Sequence, residues 1–370
     1  MHDTVNDPRP GNIGFGEIFL EVTNVCNLNC TFCVNDVMTR DRGFMKEDLF
    51  KRLIDEISAD PGVEKVLFHV MGEPTLHPKI IELVNYAAKR VPRQILITNA
   101  TTLTSDDSII KIFNTGLTNL DLSFYSNTDD EFKKRGARNL TYGEYLKIIK
   151  RILFLKYQGG FETNVRLYVF NKKHDDREKV FSSRSSAVNS DHILRQATYW
   201  SDYLEEISRC IGVPIEIATL PTSLADEKIK HGAVLKLSSQ VELTVKPLES
   251  WLGSQDSGRS KAILGKCGLL SAHAQLGILW NGDVVLCCGD YEGGTAVGNV
   301  SERSIADVLK GKRMKYAERM FSLGVIPFDT CRVCLGGGSK REMVRKGFGT
   351  CLVNTRGIGP AIIKVVGDRR

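Results

Sequence analysis

The strongest constraint on this chain is an alternation running from Glu17 to Phe170. Short apolar runs (EIFLEV, VEKVLFHV, QILITN, NLDLSFYS and ETNVRLYVF) read as strands. Between them lie MKEDLFKRLIDEIS, PKIIELVNYAAKR, SDDSIIKIFN and TYGEYLKIIKRILFLKY, which carry the helical period. In the first of these Leu49, Phe50, Leu53, Ile54 and Ile57 share one face. The second opens with proline in its first turn, and Gly116 closes the third. Apolar strands separated by helical crossovers give a parallel sheet wrapped by helices, either an open doubly wound sheet or part of a barrel. In both, chemistry belongs at the C-terminal ends of the strands.

Beyond Phe170 the pattern loosens. FSSRSSAVNS reads as a loop, HILRQATYWSDYLEEI as a strand running into a helix, and VELTVKPL as a late strand, with no unique candidate for the sixth strand. From about Gly265 the texture changes to short strands, glycines and cysteines. Asn281-Gly282 between two apolar runs predicts a hairpin, and SIADVLKGKRMKYAERMFS predicts a helix leading to Cys331 and Cys334. The expected organisation is an N-terminal arm (1–16), a barrel-like domain (17–260), a small second domain (261–335) and a basic, glycine-rich tail (336–370).

The 370 residues are 42% hydrophobic and 25% charged, ordinary for a globular protein, and the net charge of +6 is spread along the chain. No apolar run approaches the roughly 18 residues that span a bilayer, and the first residues are polar, so a cytoplasmic location is expected. There, ten cysteines read as metal ligands in preference to disulfides.

Cys26, Cys30 and Cys33 follow the first strand. Thiolates at these spacings suit three corners of a cubane iron–sulfur cluster with one iron left open, whereas structural zinc takes four ligands and no fourth lies nearby. Phe32 reads as a packing residue or as a cover for a planar ring. Cys267, Cys287, Cys331 and Cys334 form a second set, equally compatible with zinc or a cluster. Cys288 is the alternative to Cys287. Cys210 and Cys351 read as incidental thiols, and Trp251, Trp280 and His273 as core or hairpin residues.

With these residues assembled, the chain resembles the radical S-adenosylmethionine (SAM) superfamily, whose signature is C-x3-C-x2-C after the first strand of a partial (β/α)6 TIM-like barrel. The second set, with Gly282 four residues before Cys287, is similar to the Twitch domain, a shortened SPASM domain of α+β type. No cysteine follows Cys334 until Cys351, so the resemblance implies one auxiliary [4Fe–4S] cluster and not two. It also implies that the open iron of the first cluster binds SAM. Met71-Gly72-Glu73-Pro74 matches the family's Gly-Gly-Glu motif, with Met71 replacing the first glycine. A small residue lets backbone approach a ligand, and a carboxylate suits the SAM ammonium. Asn99 in Thr98-Asn99-Ala100, Ser123 and Arg166 fall where relatives meet SAM.

The activity so implied is reductive cleavage of SAM to a 5′-deoxyadenosyl radical, hydrogen abstraction from a substrate carbon, and oxidation with help from the auxiliary cluster. Only 16 residues precede the first strand, whereas many peptide maturases of the family carry a leader-recognition domain there. A sugar-like or other small metabolite is therefore the favoured substrate. The alternatives are a peptide maturase that crosslinks or epimerises a precursor, with Cys351 as a candidate hydrogen-atom donor, and a non-catalytic metal scaffold. A flavodoxin- or ferredoxin-type electron donor is implied, and neither nucleic acid nor membrane is expected as a partner.

Overall fold

The computed structural model describes residues 13–336 except 126, 127, 171–189, 225–231, 247–259 and 272. Residues 1–12 of the arm, the serine-rich stretch 181–189, Trp251 and the tail from residue 337, with Cys351, lie outside the described residues, whereas Ile13 and Phe15 of the arm are buried in the core. The chain runs β1 (Glu17–Leu20), α1 (Glu47–Ser58), β2 (Lys65–Phe68), α2 (Ile80–Ala88), β3 (Gln94–Thr98), α3 (Asp106–Phe113), β4 (Asn119–Leu122), α4 (Asp129–Lys133), α5 (Tyr142–Gln158) and β5 (Asn164–Phe170). It continues through α6 (Ser190–Ile211), β6 (Ala233–Lys236), β7 (Val241–Lys246), α7 (Gly268–Ser271), β8 (Gln275–Ile278), β9 (Asp283–Val285) and β10 (Gly298–Asn299). Three helices follow: α8 (Ile305–Leu309), α9 (Lys312–Ser322) and α10 (Asp329–Cys334).

All ten strands share one sheet, ordered β10-β9-β8-β1-β2-β3-β4-β5-β7-β6. From β8 through β7 the pairing is parallel, and antiparallel partners close both edges. The sixth parallel strand, open in the sequence reading, is β7, which lies beside β5. The mixed α/β architecture is that of a partial TIM-like barrel with a small C-terminal unit. That unit joins the barrel sheet directly, because β8 pairs with β1 from Glu17↔Gln275 to Leu20↔Ile278.

Strand alternation splits the sheet into two faces. The outer residues Ile18, Leu20, Val66, Phe68, Leu96, Leu120, Leu122, Val165, Leu167, Leu243 and Leu276 pack in one core with the helices. Within α1, Phe50, Leu53, Ile54 and Ile57 are almost wholly buried, each worth about 2 kcal/mol of hydrophobic transfer. Capping boxes at Ser105 with Ser108 and Thr141 with Glu144 start α3 and α5, saturating amides that would otherwise lack partners.

The structure departs from the sequence reading in two helical regions. HILRQATYWSDYLEEI, read as strand then helix, is helical throughout and belongs to α6. Its buried residues Ile193, Ala197, Trp200, Leu204 and Ile207 recur at spacings of four and three, the signature of a helix face. The predicted late helix also divides, into α8 and α9, at Gly311.

Candidate functional site

The cysteine loop leaves the C-terminal end of β1 and is clamped from three directions. Thr23 Oγ1 donates to Gly43 O (2.7 Å), Asn24 Nδ2 donates to Asp41 O (2.7 Å), and Gly43 N–H donates back to Asn24 Oδ1 (2.9 Å). The Glu73 N–H reaches Val25 O (2.8 Å), and Thr31 N–H reaches Lys134 O (2.8 Å). Glu21, fully buried, pairs with Arg40 and accepts from Trp280 N–H (3.2 Å), which ties the loop to the hairpin of the C-terminal unit.

Gly72 makes the close approach anticipated for it, but to protein. At φ +80°, a Cβ there would lie 2.4 Å from Thr23 O and 2.8 Å from Asn24 Cα. Gly136 lies similarly under the loop, where a Cβ would stand 2.6 Å from Asn29 O. Both glycines exist because the loop rests on backbone.

Cys26, Cys30 and Cys33 stand close enough for their thiolates to repel one another, and burial pushes all three up, Cys26 to about 11 and Cys33 to about 12. Ionised thiolates in such a setting need cationic partners, which a cluster iron supplies. One counter-charge is already present: the wholly buried Arg135 guanidinium lies against Cys30 and donates to Phe124 O (3.0 Å) and Tyr145 Oη (2.9 Å). Arg135 sits among several basic residues in KKRGAR, so nothing local marked it out.

Glu73 is 1% exposed, and four donors hold its carboxylate. Oε1 accepts from Thr75 N–H (3.0 Å), Thr75 Oγ1 (2.6 Å) and Thr98 Oγ1 (2.6 Å), and Oε2 accepts from Asn99 N–H (2.6 Å). Burial raises its pKa against the pull of these donors. Glu73 thereby fastens the end of β3 to the turn after β2. Asn99 Nδ2 is 3.0 Å from Asn27 Oδ1 and 4.0 Å from Cys26 Sγ, so Asn99 lies at the cysteine loop.

The other expected SAM-binding residues fall into two groups. Phe32 is half-buried, edge-on to Tyr125 at 6.2 Å, and the Ser123 hydroxyl bonds Tyr125, so both line the ground beside Cys30. Met71, 2% exposed, packs with Phe19, Leu67, Ile95, Leu279 and Cys33 on the concave face. Arg166 is one row deeper in the sheet, its guanidinium engaged by Asp121 (3.2 Å) and Glu242.

The second set also converges. Cys267 precedes α7, Cys287 follows β9, and Cys331 and Cys334 lie one turn apart on α10. The charge of Cys287 is felt at Cys267, and the charges of Cys267, Cys287 and Cys334 are felt at Cys331. Cys267 and Cys331 border the helix-side core. Gln275 Nε2 and Gly289 N–H each donate to Cys287 Sγ at 3.4 Å, and with the Cys288 thiol they lower its pKa against burial. Cys288 also packs against the concave apolar cluster. Among the described residues no three such groups converge on a single-ion site, and a cluster differs from zinc in giving each thiolate its own iron. Cys210 is exposed at the end of α6, remote in sequence and element from both sets.

The chain matches the radical SAM superfamily over residues 20–182 and an iron–sulfur cluster-binding domain, SPASM, over 267–335. The tungsten-containing aldehyde ferredoxin oxidoreductase cofactor-modifying protein of Pyrococcus furiosus is 34% identical over 89 residues, 24% of this chain and 25% of that protein. The S-adenosyl-L-methionine-dependent 2-deoxy-scyllo-inosamine dehydrogenase of Niallia circulans is 33% identical over 93 residues, 24% and 37% of the two chains. The chain thus spans well under half the length of either relative. Streptococcus suis SuiB, 15% identical, shares the fold with a TM-score of 0.50 over 88% of this chain and 73% of its own. The cofactors of the two matched domains are SAM with a [4Fe–4S] cluster and an auxiliary iron–sulfur cluster. With both domains matched, the chain belongs to the radical SAM superfamily and carries a C-terminal SPASM-type iron–sulfur domain.

Proposed function

We propose that this chain is a radical SAM oxidoreductase acting on a small, sugar-like metabolite. The observation that carries the reading is the pair of unequal thiol sets: three half-buried cysteines beside Glu73 and Asn99 at the end of β1, and four between α7, β9 and α10. When bound at the first set, the cluster and SAM supply hydrogen-atom abstraction through a 5′-deoxyadenosyl radical.

The chain's own residues prepare that ground. Glu73 holds the β2 and β3 ends in register with the cysteine loop, and Arg135 offsets negative charge at Cys30. Asn99 Nδ2 stands by Cys26 as a donor for an anionic ligand, and Phe32 with Ser123 borders the same space. Met71, Phe19 and Leu67 exclude water from below. Cys267, Cys287, Cys331 and Cys334 would hold the auxiliary cluster with no iron left open, which suits electron transfer, and a flavodoxin- or ferredoxin-type protein would serve as reductant. The similarity to a dehydrogenase of 2-deoxy-scyllo-inosamine supports a small hydroxylated substrate.

Anaerobic reconstitution tests the reading. About eight irons per chain are expected for two four-iron clusters, with 5′-deoxyadenosine formed from SAM under a strong reductant. Replacing Cys26, Cys30 and Cys33 by alanine should halve the iron and abolish the product, and product formation that survives this triple replacement overturns the assignment.

A further inference from the structure

A positive charge is sealed beneath the cysteine loop with no carboxylate to balance it. Arg135 is 1% exposed, and arginine is almost never buried so completely unless it is paired, because the ion loses its hydration. Elsewhere the rule is kept: Arg40 meets Glu21, and Arg166 meets Asp121 and Glu242. Lys156, also sealed, binds its proton less tightly, with a pKa lowered to about 8. A guanidinium has no such escape and stays charged. Among the described residues the hydrogen-bond acceptors of Arg135 are neutral, Phe124 O (3.0 Å) and Tyr145 Oη (2.9 Å), and its Nε–H has none.

The backbone fixes what this charge faces. Thr31 N–H donates to Lys134 O (2.8 Å), and Gly136 lies so close to Asn29 that a Cβ there would stand 2.6 Å from the Asn29 carbonyl oxygen. The residues on both sides of Arg135 therefore touch the residues on both sides of Cys30. Consistently, the Arg135 charge is felt at Cys30 and at Cys26. The guanidinium is also held in place. Tyr145 accepts from it while donating to Ser123 O (3.3 Å), and the Tyr145 ring stacks on Phe124 and Phe132, with centroids 5.9 and 4.9 Å away.

We propose that Arg135 is the counter-cation of the cluster held by Cys26, Cys30 and Cys33, a positioning residue that acts through Cys30 to raise the reduction potential of that cluster. The inference rests on the iron–sulfur assignment of the first thiol set and is independent of the substrate. A four-iron core in its oxidised state, bound by three thiolates, carries one net negative charge. One electron from an external reductant makes it two, with no bond formed or broken. A fixed buried cation favours the more negative state, and it does so strongly because little water is present to screen it. Net charge and hydrogen bonds at the sulfurs are the levers by which a protein sets such a potential, and Arg135 offers both from one side chain.

The test is a potentiometric titration of the full chain, anaerobically reconstituted without SAM, followed by EPR of the reduced clusters. The first cluster is identified by the change that SAM makes in its signal when added to a parallel sample. In Arg135→Met, which keeps bulk and removes charge, the reduced-to-oxidised ratio at the wild-type midpoint should fall about tenfold or more, a shift of about 59 mV for a one-electron couple. Arg135→Lys, which returns the charge without the fork, should recover most of the shift, and the auxiliary cluster of the same samples should keep its midpoint. A second readout needs no substitution. In wild-type protein carrying nitrogen-15 in its arginine side chains, pulsed EPR of the reduced first cluster should show a nitrogen coupling that changes with the label, and this decides the matter where Arg135→Met retains no iron. Equal midpoints in Arg135→Met and wild type, a shift that Arg135→Lys shares in full, or no label-dependent coupling overturns the inference, leaving Arg135 as a prop for Phe124 and Tyr145. Wild-type protein that reconstitutes no SAM-responsive cluster is a different result, and it defeats the iron–sulfur assignment together with the inference built on it.

Discussion

Glu73→Gln separates a structural carboxylate from one reserved for a ligand. Each Glu73 oxygen accepts one backbone N–H, Thr75 on Oε1 at 3.0 Å and Asn99 on Oε2 at 2.6 Å, and a backbone N–H cannot reverse its role. A carboxamide turned either way therefore opposes its NH2 to one of those amides. The Thr75 and Thr98 hydroxyls can rotate and adapt, but the backbone pair cannot. Two buried donors left unpaired at about 1–3 kcal/mol each set the cost at about 2–6 kcal/mol, a large share of the 5–15 kcal/mol that typically holds a domain. Anaerobic thermal or urea unfolding of the reconstituted protein without SAM should show this loss, with Thr98→Val, which removes one hydroxyl, costing about 1 kcal/mol. Should Glu73→Gln unfold with the wild type and only bind SAM more weakly, the carboxylate's partner is the ligand and the argument from Thr75 and Asn99 fails.

Four further outcomes follow from particular residues. Cys287→Ser should lose the auxiliary iron, about four atoms per chain by metal analysis, whereas Cys288→Ser should keep it, because the Cys287 charge is felt at Cys267 and Cys331; equal loss would reverse the assignment. Ala100, buried at φ +63° where the family has glycine, carries left-handed strain, so Ala100→Gly should raise the unfolding midpoint in urea by the equivalent of about 1 kcal/mol. Burial lowers the pKa of Lys156 to about 8 from 10.5, and the unfolded chain then binds more protons between those values, so the Lys156 contribution to stability rises with pH across that window. The melting difference between wild type and Lys156→Met should accordingly shift toward the wild type from pH 8 to 10.5, and a constant difference refutes it. Trp200→Ala, deleting a fully buried ring edge-on to Phe124 at 5.5 Å, should cost about 3–5 kcal/mol in denaturant melts.

Local patterns carried much of this protein in plain view. The strand–helix alternation from β1 to β5 depends on periodicity and turn chemistry within each run, so the elements were legible one at a time. The cysteine spacings likewise are local properties. α6 was half misread although Ile193, Ala197, Trp200, Leu204 and Ile207 keep helical spacing, because the threonine, tyrosine and tryptophan in that run lean toward strand. β7 alternates like any edge strand, and only its register against β5 identifies it as the sixth parallel strand.

What the sequence by itself determined is the supply of chemistry: two sets of thiols, an α/β frame and the turn at Gly72-Glu73. Tertiary structure decided how that supply is spent. It turned Gly72 toward Thr23 and Asn24, gave Glu73 to Thr75, Thr98 and Asn99, and buried Arg135 against Cys30. The reason is that a hydrogen bond, a close backbone approach or a charge pair depends on distance in space, which strand register and sheet curvature establish only after local structure has formed.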